Sequence, residues 1–166
     1  MGGCTVCGVI KRWILNKWAK KLNVDKIATG HNLDDETQTV LMNFLKGNIY
    51  LGANSTPMTG VKTKGFVQRV KPFFFIAENK IREYAKEMQF PILYDRCPCA
   101  IGTYRIETRI WLKEIDDKNK LKIVKGFQKI IPGLRKKEVL ELRINAKIAE
   151  NLQEKKFVML VRCSIV

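Results

Sequence analysis

Five cysteines and a single histidine mark the positions at which this sequence could do chemistry. Cys4 and Cys7 form a CxxC pair near the start, and Cys97 and Cys99 follow about ninety residues later, separated by one proline. Between the two groups, the run TGHNLDDE at 29–36 holds the histidine and three carboxylates. Clustered thiolates bind metals or do redox chemistry, and paired carboxylates bind Mg²⁺ or accept protons. The pattern therefore predicts metal or redox chemistry.

Three arrangements of the cysteines are compatible with their spacing. Three thiolates can hold a four-iron cluster and leave one iron open for exogenous sulfide. Four thiolates, with Cys99 among them, can form a structural zinc site, although the single residue between Cys97 and Cys99 is shorter than the usual gap between zinc ligands. The cysteines can also be buried and without a ligand. An odd number of cysteines argues against a disulfide framework.

Four polar residues near these cysteines each allow a functional and a purely structural interpretation. Lys11, four residues after Cys7 on the same helix face, could stabilise thiolates or hold a phosphate, or it could be an ordinary surface lysine. Asp34 and Asp35 could bind Mg²⁺ or accept a proton, or they could cap a helix. His31 could donate to a phosphate oxygen or only close its turn.

Charge predicts the class of partner. The 166-residue chain has 31 Lys+Arg against 16 Asp+Glu, a formal net charge of +15, and a pI near 9.8. Such a surface attracts phosphate backbones, so we expect a nucleic acid, although a highly soluble surface is the alternative. No apolar run approaches the length of a membrane span, and the N-terminus does not resemble a signal peptide. We therefore expect a cytoplasmic protein.

Hydrophobic periodicity predicts an α/β fold with a parallel sheet. Helices are predicted over 8–22, 34–46, 78–88, 103–131 and 134–152, strands over 26–30, 66–70 and 90–94, and a loop over 47–65, with a break at Pro132-Gly133. Ligands of such folds bind beyond the carboxyl ends of the strands, which is where the turn at 30–35 is expected.

The C-terminal part of the chain is predicted to be helical and basic. Lysine and arginine concentrate at 118–125, 129 and 135–137. We expect the apolar positions of these helices, Ile123, Phe127, Ile130 and Leu140, to turn inward and leave the charge on an outer surface. Two regions are predicted, 1–102 with the cysteines and 103–166 facing RNA.

Four segments resemble one family of enzymes. They are CTVCGVIKRWILNKWAKKL, KIATGHNLDDETQTVLMNFLKGN, VKPFF and RCPCAIGTYR. The resemblance that they carry extends over nearly the whole chain, from Cys4 to about Leu152. Together they are similar to the TtuA/NcsA-type tRNA 2-thiouridine synthetases, which are PP-loop ATPases with an adenine nucleotide alpha hydrolase-like fold. The resemblance implies that ATP adenylates the C2 carbonyl oxygen of a tRNA uridine. Sulfur then replaces this oxygen with the help of a 4Fe-4S cluster.

The resemblance also implies roles for individual residues. It places the cluster ligands on Cys4, Cys7 and Cys97, and leaves Cys99 outside the set. It places catalytic roles on Lys11 and Asp35, and it puts the ATP-facing turn, with Mg²⁺ accompanying the nucleotide, at Gly30 and His31.

The implied partners are tRNA and a sulfur donor, either a ubiquitin-like carrier or sulfide. Family members carry an SGGxDS pyrophosphate loop and zinc ribbons that this sequence does not contain, so a homodimer or pairing with a chain that has the PP-loop is expected. Two other interpretations stay open. They are a tRNA 2-thiocytidine synthetase, and a non-catalytic tRNA-binding module with structural zinc.

Overall fold

A computed structural model of the chain describes residues 3–59, 65–92, 97 and 104–136, with the backbone alone for residues 3–5. The chain divides into two compact units, Met1–Lys129 and Ile130–Val166. The first unit contains, in chain order, α1 (Gly3–Lys21), β1 (Lys26–Ala28), α2 (Leu33–Leu45), α3 (Ile49–Gly52), β2 (Gln68–Val70), α4 (Glu78–Glu87), α5 (Tyr104–Leu112) and α6 (117–129). Residues 130–136 of the second unit are helical.

The predicted α/β class is confirmed. Strands β1 and β2 are parallel, with Ile27 opposite Arg69, and they form the sheet of the described residues. The backbone N–H of Thr29 extends the ladder by donating to the Val70 carbonyl at 2.9 Å. Parallel strands need a long crossover between them, here supplied by α2 and α3. Both strands consequently end at the same edge.

Several predicted boundaries differ from the structure. Helix α1 begins at Gly3, five residues earlier than predicted, so the CxxC pair lies within the helix and not before it. The helix ends at Lys21, one residue before the predicted end. Asn23, in the turn that follows, adopts φ of 52°, a left-handed conformation that asparagine tolerates well. The predicted loop at 47–65 contains α3, and the predicted strand at 90–94 is not regular at 90–92, with the remainder outside the described residues.

The long predicted helix at 103–131 is two helices, because Asp116 caps a new start. Its Oδ1 accepts from the backbone N–H of Asn119 at 2.6 Å, which satisfies one of the free donors at the beginning of α6. The predicted break at Pro132-Gly133 is wrong, since residues 131–136 are helical. A proline in a helix interior removes its own N–H and crowds the carbonyl of the preceding turn, but this can kink a helix without ending it.

A small core holds the first turn of α2 in place. It consists of Leu33, Phe74, Ala77 and Val124, each at most 7% exposed, with Leu121 packed against it. It joins α2, the segment after β2, and α6. A close approach of α3 to α6 reinforces the arrangement, because a Cβ at Gly52 would lie 2.7 Å from the ring of Phe127. The first turn of α2 is therefore held between the segment after β2 and α6.

Of the apolar positions predicted to turn inward in the C-terminal part, Phe127 is buried at 7% exposure and Ile123 is half-buried. Ile130 is 51% exposed, so its predicted burial is wrong; Leu140 lies outside the described residues. The buried face of α6 is instead defined by Lys120, Val124 and Phe127, which follow each other at helical spacing.

Candidate functional site

The turn at 29–32 connects β1 to α2 and brings the predicted nucleotide-binding residues together. Asn32 begins the helix with a capping box, in which its Oδ1 accepts from the backbone N–H of Asp35 at 3.1 Å and its own N–H donates to Asp35 Oδ2 at 3.3 Å. His31 Nδ1 lies 3.0 Å from Thr29 Oγ1. Gly30 and His31 are exposed, and a Cβ at Gly30 would meet open space. The turn thus has a fixed backbone and an open face.

The two adjacent aspartates of this turn have different surroundings. Asp34 is held by two donors, the backbone N–H of Glu78 at 2.7 Å and Nζ of Lys120 at 2.8 Å. Asp35 caps the helix with one oxygen, and its Oδ1 lies 3.9 Å from the guanidinium of Arg105. Asp34 therefore has a structural role, whereas Asp35 caps the helix and faces the exposed side chain of Arg105. The sequence alone had left capping and chemistry as equal alternatives for both.

Arg105 belongs to the segment that follows the second cysteine group. Its Nε donates to Oε1 of Gln38 at 3.0 Å, and Nε2 of Gln38 donates back to the Arg105 carbonyl oxygen. Gln38 is 2% exposed, so this double contact is rigid, whereas the Arg105 side chain is 56% exposed. The first turn of α5 is thereby tied to α2, at a position three residues beyond Asp35.

A second polar group lies beneath the turn. Glu36, 2% exposed, pairs with Lys71 at 2.7 Å and accepts from the hydroxyl of Ser55. Lys71 follows β2 and also stands 5.5 Å from the ring centroid of Phe74. A buried carboxylate is stable only when it is paired and hydrogen-bonded in this way. The group therefore fixes the carboxyl end of β2, and the segment after α3, relative to α2.

Two groups have perturbed pKa values. Burial disfavours the charge of Lys120, but the hydrogen bond and charge of Asp34, together with Asp117, outweigh it and raise the pKa of Lys120 above its ordinary 10.5. Burial likewise opposes the charge of Glu78, yet its contacts with Arg82 and Arg109 lower the pKa of Glu78 below 4.5. Both groups stay charged at neutral pH and support the turn from outside.

The other predicted site residues lie on α1 and near α5. Cys7 and Lys11 are exposed and one turn apart on α1, and Cys97 is an exposed free thiol. The side chain of Cys4, and the whole of Cys99, lie outside the described residues. Within the described ranges, no three His, Cys, Asp or Glu side chains are grouped closely enough to hold a metal. Likewise, no helix there has the length and apolarity needed to cross a membrane.

Sequence reasoning missed Gln38, Arg105, Glu36, Lys71 and Lys120. Glu36 and Arg105 end the quoted segments TGHNLDDE and RCPCAIGTYR, but nothing in either pattern indicates a partner. Each contact joins positions at least 19 residues apart, which periodicity does not report.

Comparison with known proteins gives several similar chains, while no family model matches. A Pyrococcus horikoshii protein named tRNA-5-methyluridine(54) 2-sulfurtransferase is 34% identical over 148 residues, which are 85% of this chain and 47% of the relative. A Methanocaldococcus jannaschii protein named probable sulfurtransferase is 34% identical over 81% of this chain and 40% of its own length. Cytoplasmic tRNA 2-thiolation protein 1 of Drosophila ananassae is 40% identical over 116 residues, 68% of this chain and 33% of its own.

A solved structure is also similar. It is the U34-tRNA thiolase NcsA from Methanococcus maripaludis with its 4Fe-4S cluster, with a TM-score of 0.67 and 31% identity over 80% of this chain and 45% of that one. The chain thus spans less than half the length of these relatives.

Proposed function

We propose that this chain, which belongs to the TtuA/NcsA-type family of tRNA thiolases, forms the part of a tRNA 2-thiolating enzyme that holds the cluster and one wall of the nucleotide site. The observation that carries this proposal is the contact between Arg105 and Asp35. It brings the first turn of α5, which follows the second cysteine group in the sequence, to the acidic turn after β1. Sulfur handling and nucleotide activation need to occur at one site, and this contact joins their two segments.

In this proposal ATP lies over the exposed face of the turn. The backbone at Gly30 approaches the nucleotide without a side chain in the way, and His31 donates to a phosphate oxygen. The uridine C2 oxygen attacks the α-phosphorus of ATP, and pyrophosphate with its Mg²⁺ leaves. Asp35 and Lys11 carry the catalytic roles, Asp35 as a proton acceptor and Lys11 as a cation beside the developing negative charge. Sulfur then replaces the activated oxygen, and AMP leaves.

The cysteines available fit a 4Fe-4S cluster. Cys7 and Cys97 are free, exposed thiols, and Cys4 lies one helical turn before Cys7. When bound, such a cluster with three protein ligands offers an open iron site for exogenous sulfide. On α1, Lys11 lies one turn after Cys7. We propose Cys4, Cys7 and Cys97 as ligands.

The proposed partners are tRNA and a sulfur donor, either a ubiquitin-like carrier or sulfide. The names of the relatives support tRNA as substrate and the cytoplasm as location. We propose that region 103–166 faces the tRNA backbone. Lys118, Lys122, Lys125 and Lys129 are all exposed, opposite the buried face of α6. Phosphate contacts from such a row give affinity without sequence choice.

Anaerobic reconstitution of the full chain with iron and sulfide tests the proposal. We expect a brown protein with iron and acid-labile sulfide, and loss of iron when Cys4, Cys7 or Cys97 is changed to Ala. Cys99→Ala is the matched control and should keep the iron. Colourless protein with one zinc per chain, lost equally in all four variants, would instead support the structural zinc module.

A nucleoside analysis of the reacted tRNA then identifies the product. A 2-thiouridine product supports the proposed reaction. A 2-thiocytidine product would assign the chain to the related cytidine enzymes and overturn the substrate.

A further inference from the structure

The guanidinium of Arg105 is an accessible cation whose base is rigidly held. Its Nε donates to Oε1 of Gln38 at 3.0 Å, and Nε2 of Gln38 donates to the Arg105 carbonyl oxygen. Gln38 is 2% exposed, whereas the Arg105 side chain is 56% exposed. One buried amide thus fixes both the backbone and the first nitrogen of the guanidinium, while the charged end of the side chain remains open to solvent.

The charge of Arg105 is less closely paired than the other cations around this turn. The carboxylates on either side of Asp35 each contact a lysine, at 2.8 and 2.7 Å. Nη2 of Arg105, in contrast, lies 3.9 Å from Oδ1 of Asp35, which is longer than a hydrogen bond. Since Gln38 takes the donor on Nε, the terminal nitrogens of the guanidinium keep N–H donors for a further acceptor.

Phosphate oxygens are acceptors that suit this arrangement. A guanidinium presents its N–H donors in a planar fork that matches two phosphate oxygens, and it stays charged throughout the physiological pH range. A phosphate beside Asp35 would be repelled by the carboxylate, because like charges at short distance oppose each other. A cation that faces both groups offsets this repulsion, and Arg105 already faces Asp35.

Resting on the proposed function, we propose that Arg105 is a further catalytic residue, which binds the α-phosphate of the nucleotide, and that Gln38 is its positioning residue. During adenylation the bond from the uridine O2 to the α-phosphorus forms, and the bond to pyrophosphate breaks. Pyrophosphate takes the bonding electrons, and the uridine N3 proton passes to Asp35.

The chemistry of this step places Arg105 near the phosphorus. The uridine O2 and N3 are both bonded to C2, so a group beside the proton acceptor Asp35 also lies beside the α-phosphate. Arg105 forms no covalent bond. Its charge stabilises the negative charge that develops on the phosphate oxygens, and its fixed base means that little reorganisation is needed.

Binding of AMP and of adenosine to the full chain tests the phosphate contact. AMP carries the α-phosphate alone, and saturation-transfer NMR measures weak binding of both ligands. We expect the parent to bind AMP about tenfold more tightly than adenosine, because the contact is a charge-assisted hydrogen bond. Arg105→Ala should bind both ligands alike, and Arg105→Lys should recover part of the difference. A parent chain that binds neither ligand or both equally, or an unchanged preference in Arg105→Ala, would overturn the proposal.

Two further variants separate this contact from general stability. Arg109→Ala removes an arginine of similar exposure from the same helix, and it should keep the preference for AMP. Gln38→Met retains an unbranched side chain of similar size but loses both hydrogen bonds. It should reduce the preference for AMP and leave the affinity for adenosine unchanged. Equal loss of both affinities would indicate a structural role and contradict the positioning role of Gln38.

A tRNA phosphate is the alternative acceptor for Arg105, and filter binding distinguishes it from the nucleotide. We expect Arg105→Ala to bind tRNA as the parent does. Loss of tRNA binding together with an unchanged preference for AMP would assign Arg105 to the RNA and overturn the proposal.

The comparison of AMP with adenosine needs no iron, sulfide or tRNA, so it is independent of the thiolation reaction. In that reaction Arg105→Ala should lower the rate about 100-fold. An Arg105-dependent preference for AMP in a chain that never thiolates tRNA would contradict the proposed function alone. Thiolation by Arg105→Ala at the parent rate would contradict the role of Arg105 alone.

Discussion

The ammonium group of Lys120 donates to Oδ1 of Asp34 at 2.8 Å and so joins α6 to the first turn of α2 across 86 positions of sequence. Both side chains are largely buried, at 9% and 19% exposure. The other oxygen of Asp34 accepts from the backbone N–H of Glu78, at the start of α4. One carboxylate therefore aligns three helices around the candidate site.

Lys120→Ala should lower the free energy of unfolding by about 2 kcal/mol, because it leaves a partly buried carboxylate without its cation. Asp34→Ala should cost a similar amount, and the double variant less than the sum, since the two residues share one interaction. Urea denaturation measures all three. Lys118→Ala, an exposed lysine on the same helix, is the control and should cost little. Strict additivity would contradict the coupling.

The loss of folding stability at high pH should depend in part on Lys120. The pKa of Lys120 is raised in the folded state, so its contribution is complete below about pH 10.5 and is lost as the pH rises through the folded-state value. We expect the thermal midpoint of the parent to fall above pH 10.5 more steeply than that of Lys120→Met. Parallel curves for the two proteins would be inconsistent with the raised pKa.

The loss of folding stability at low pH should depend in part on Glu78. Its pKa is lowered by Arg82 and Arg109, so its contribution is present above pH 4.5 and is lost as the pH falls through the lower folded-state value. Because the side chain is 23% exposed, we expect about 1 kcal/mol or less. Glu78→Gln should therefore reduce stability at pH 6 but not at pH 2. Glu83→Gln, on the same helix and far more exposed, is the control and should have little effect at either pH.

Two substitutions of Asp35 should distinguish its capping role from its proposed catalytic role. Asp35→Asn keeps an oxygen that can accept from the Asn32 N–H, so the melting temperature should change little, whereas loss of the charge should lower sulfur incorporation into tRNA about 100-fold or more. Asp35→Ala should in addition lose about 1 kcal/mol of helix capping. Asp25→Asn, at an exposed position before β1, is the control and should leave the melting temperature and the sulfur incorporation unchanged. Full activity of Asp35→Asn would contradict the catalytic assignment.

The exposed lysines of α6 should bind tRNA through phosphates. Reversing Lys118, Lys122 and Lys125 to Glu should weaken binding to all tRNAs alike and flatten the salt dependence by about one unit of slope for each lost contact. Filter binding over a series of salt concentrations measures this slope. The same reversal at three other exposed lysines, Lys26 on β1 and Lys80 and Lys86 on α4, controls for net charge. An unchanged slope in the α6 variant, or an equal effect in the control, would remove α6 from the RNA surface.

The sequence by itself determined the α/β class, the greater part of α1, and the position of the turn at the end of β1. Those features are local, because helical periodicity, a short apolar strand and a capping residue each lie within a few residues of one another. The family was also accessible from the TGHNLDDE run and the cysteine spacing. The comparisons confirm it.

Only the tertiary structure decided which of two adjacent aspartates is structural. Asp34 and Asp35 are equivalent in the sequence, and their difference arises from Lys120 and Arg105, which lie 86 and 70 positions away from them. The same holds for α1, whose apolar residues predict burial although, among the residues that the structure describes, Ala19 is the one hydrophobic residue of this helix that is buried. A hydrophobic pattern predicts that one face of a helix or strand is buried. Which residues bury it is determined by the tertiary packing of the chain.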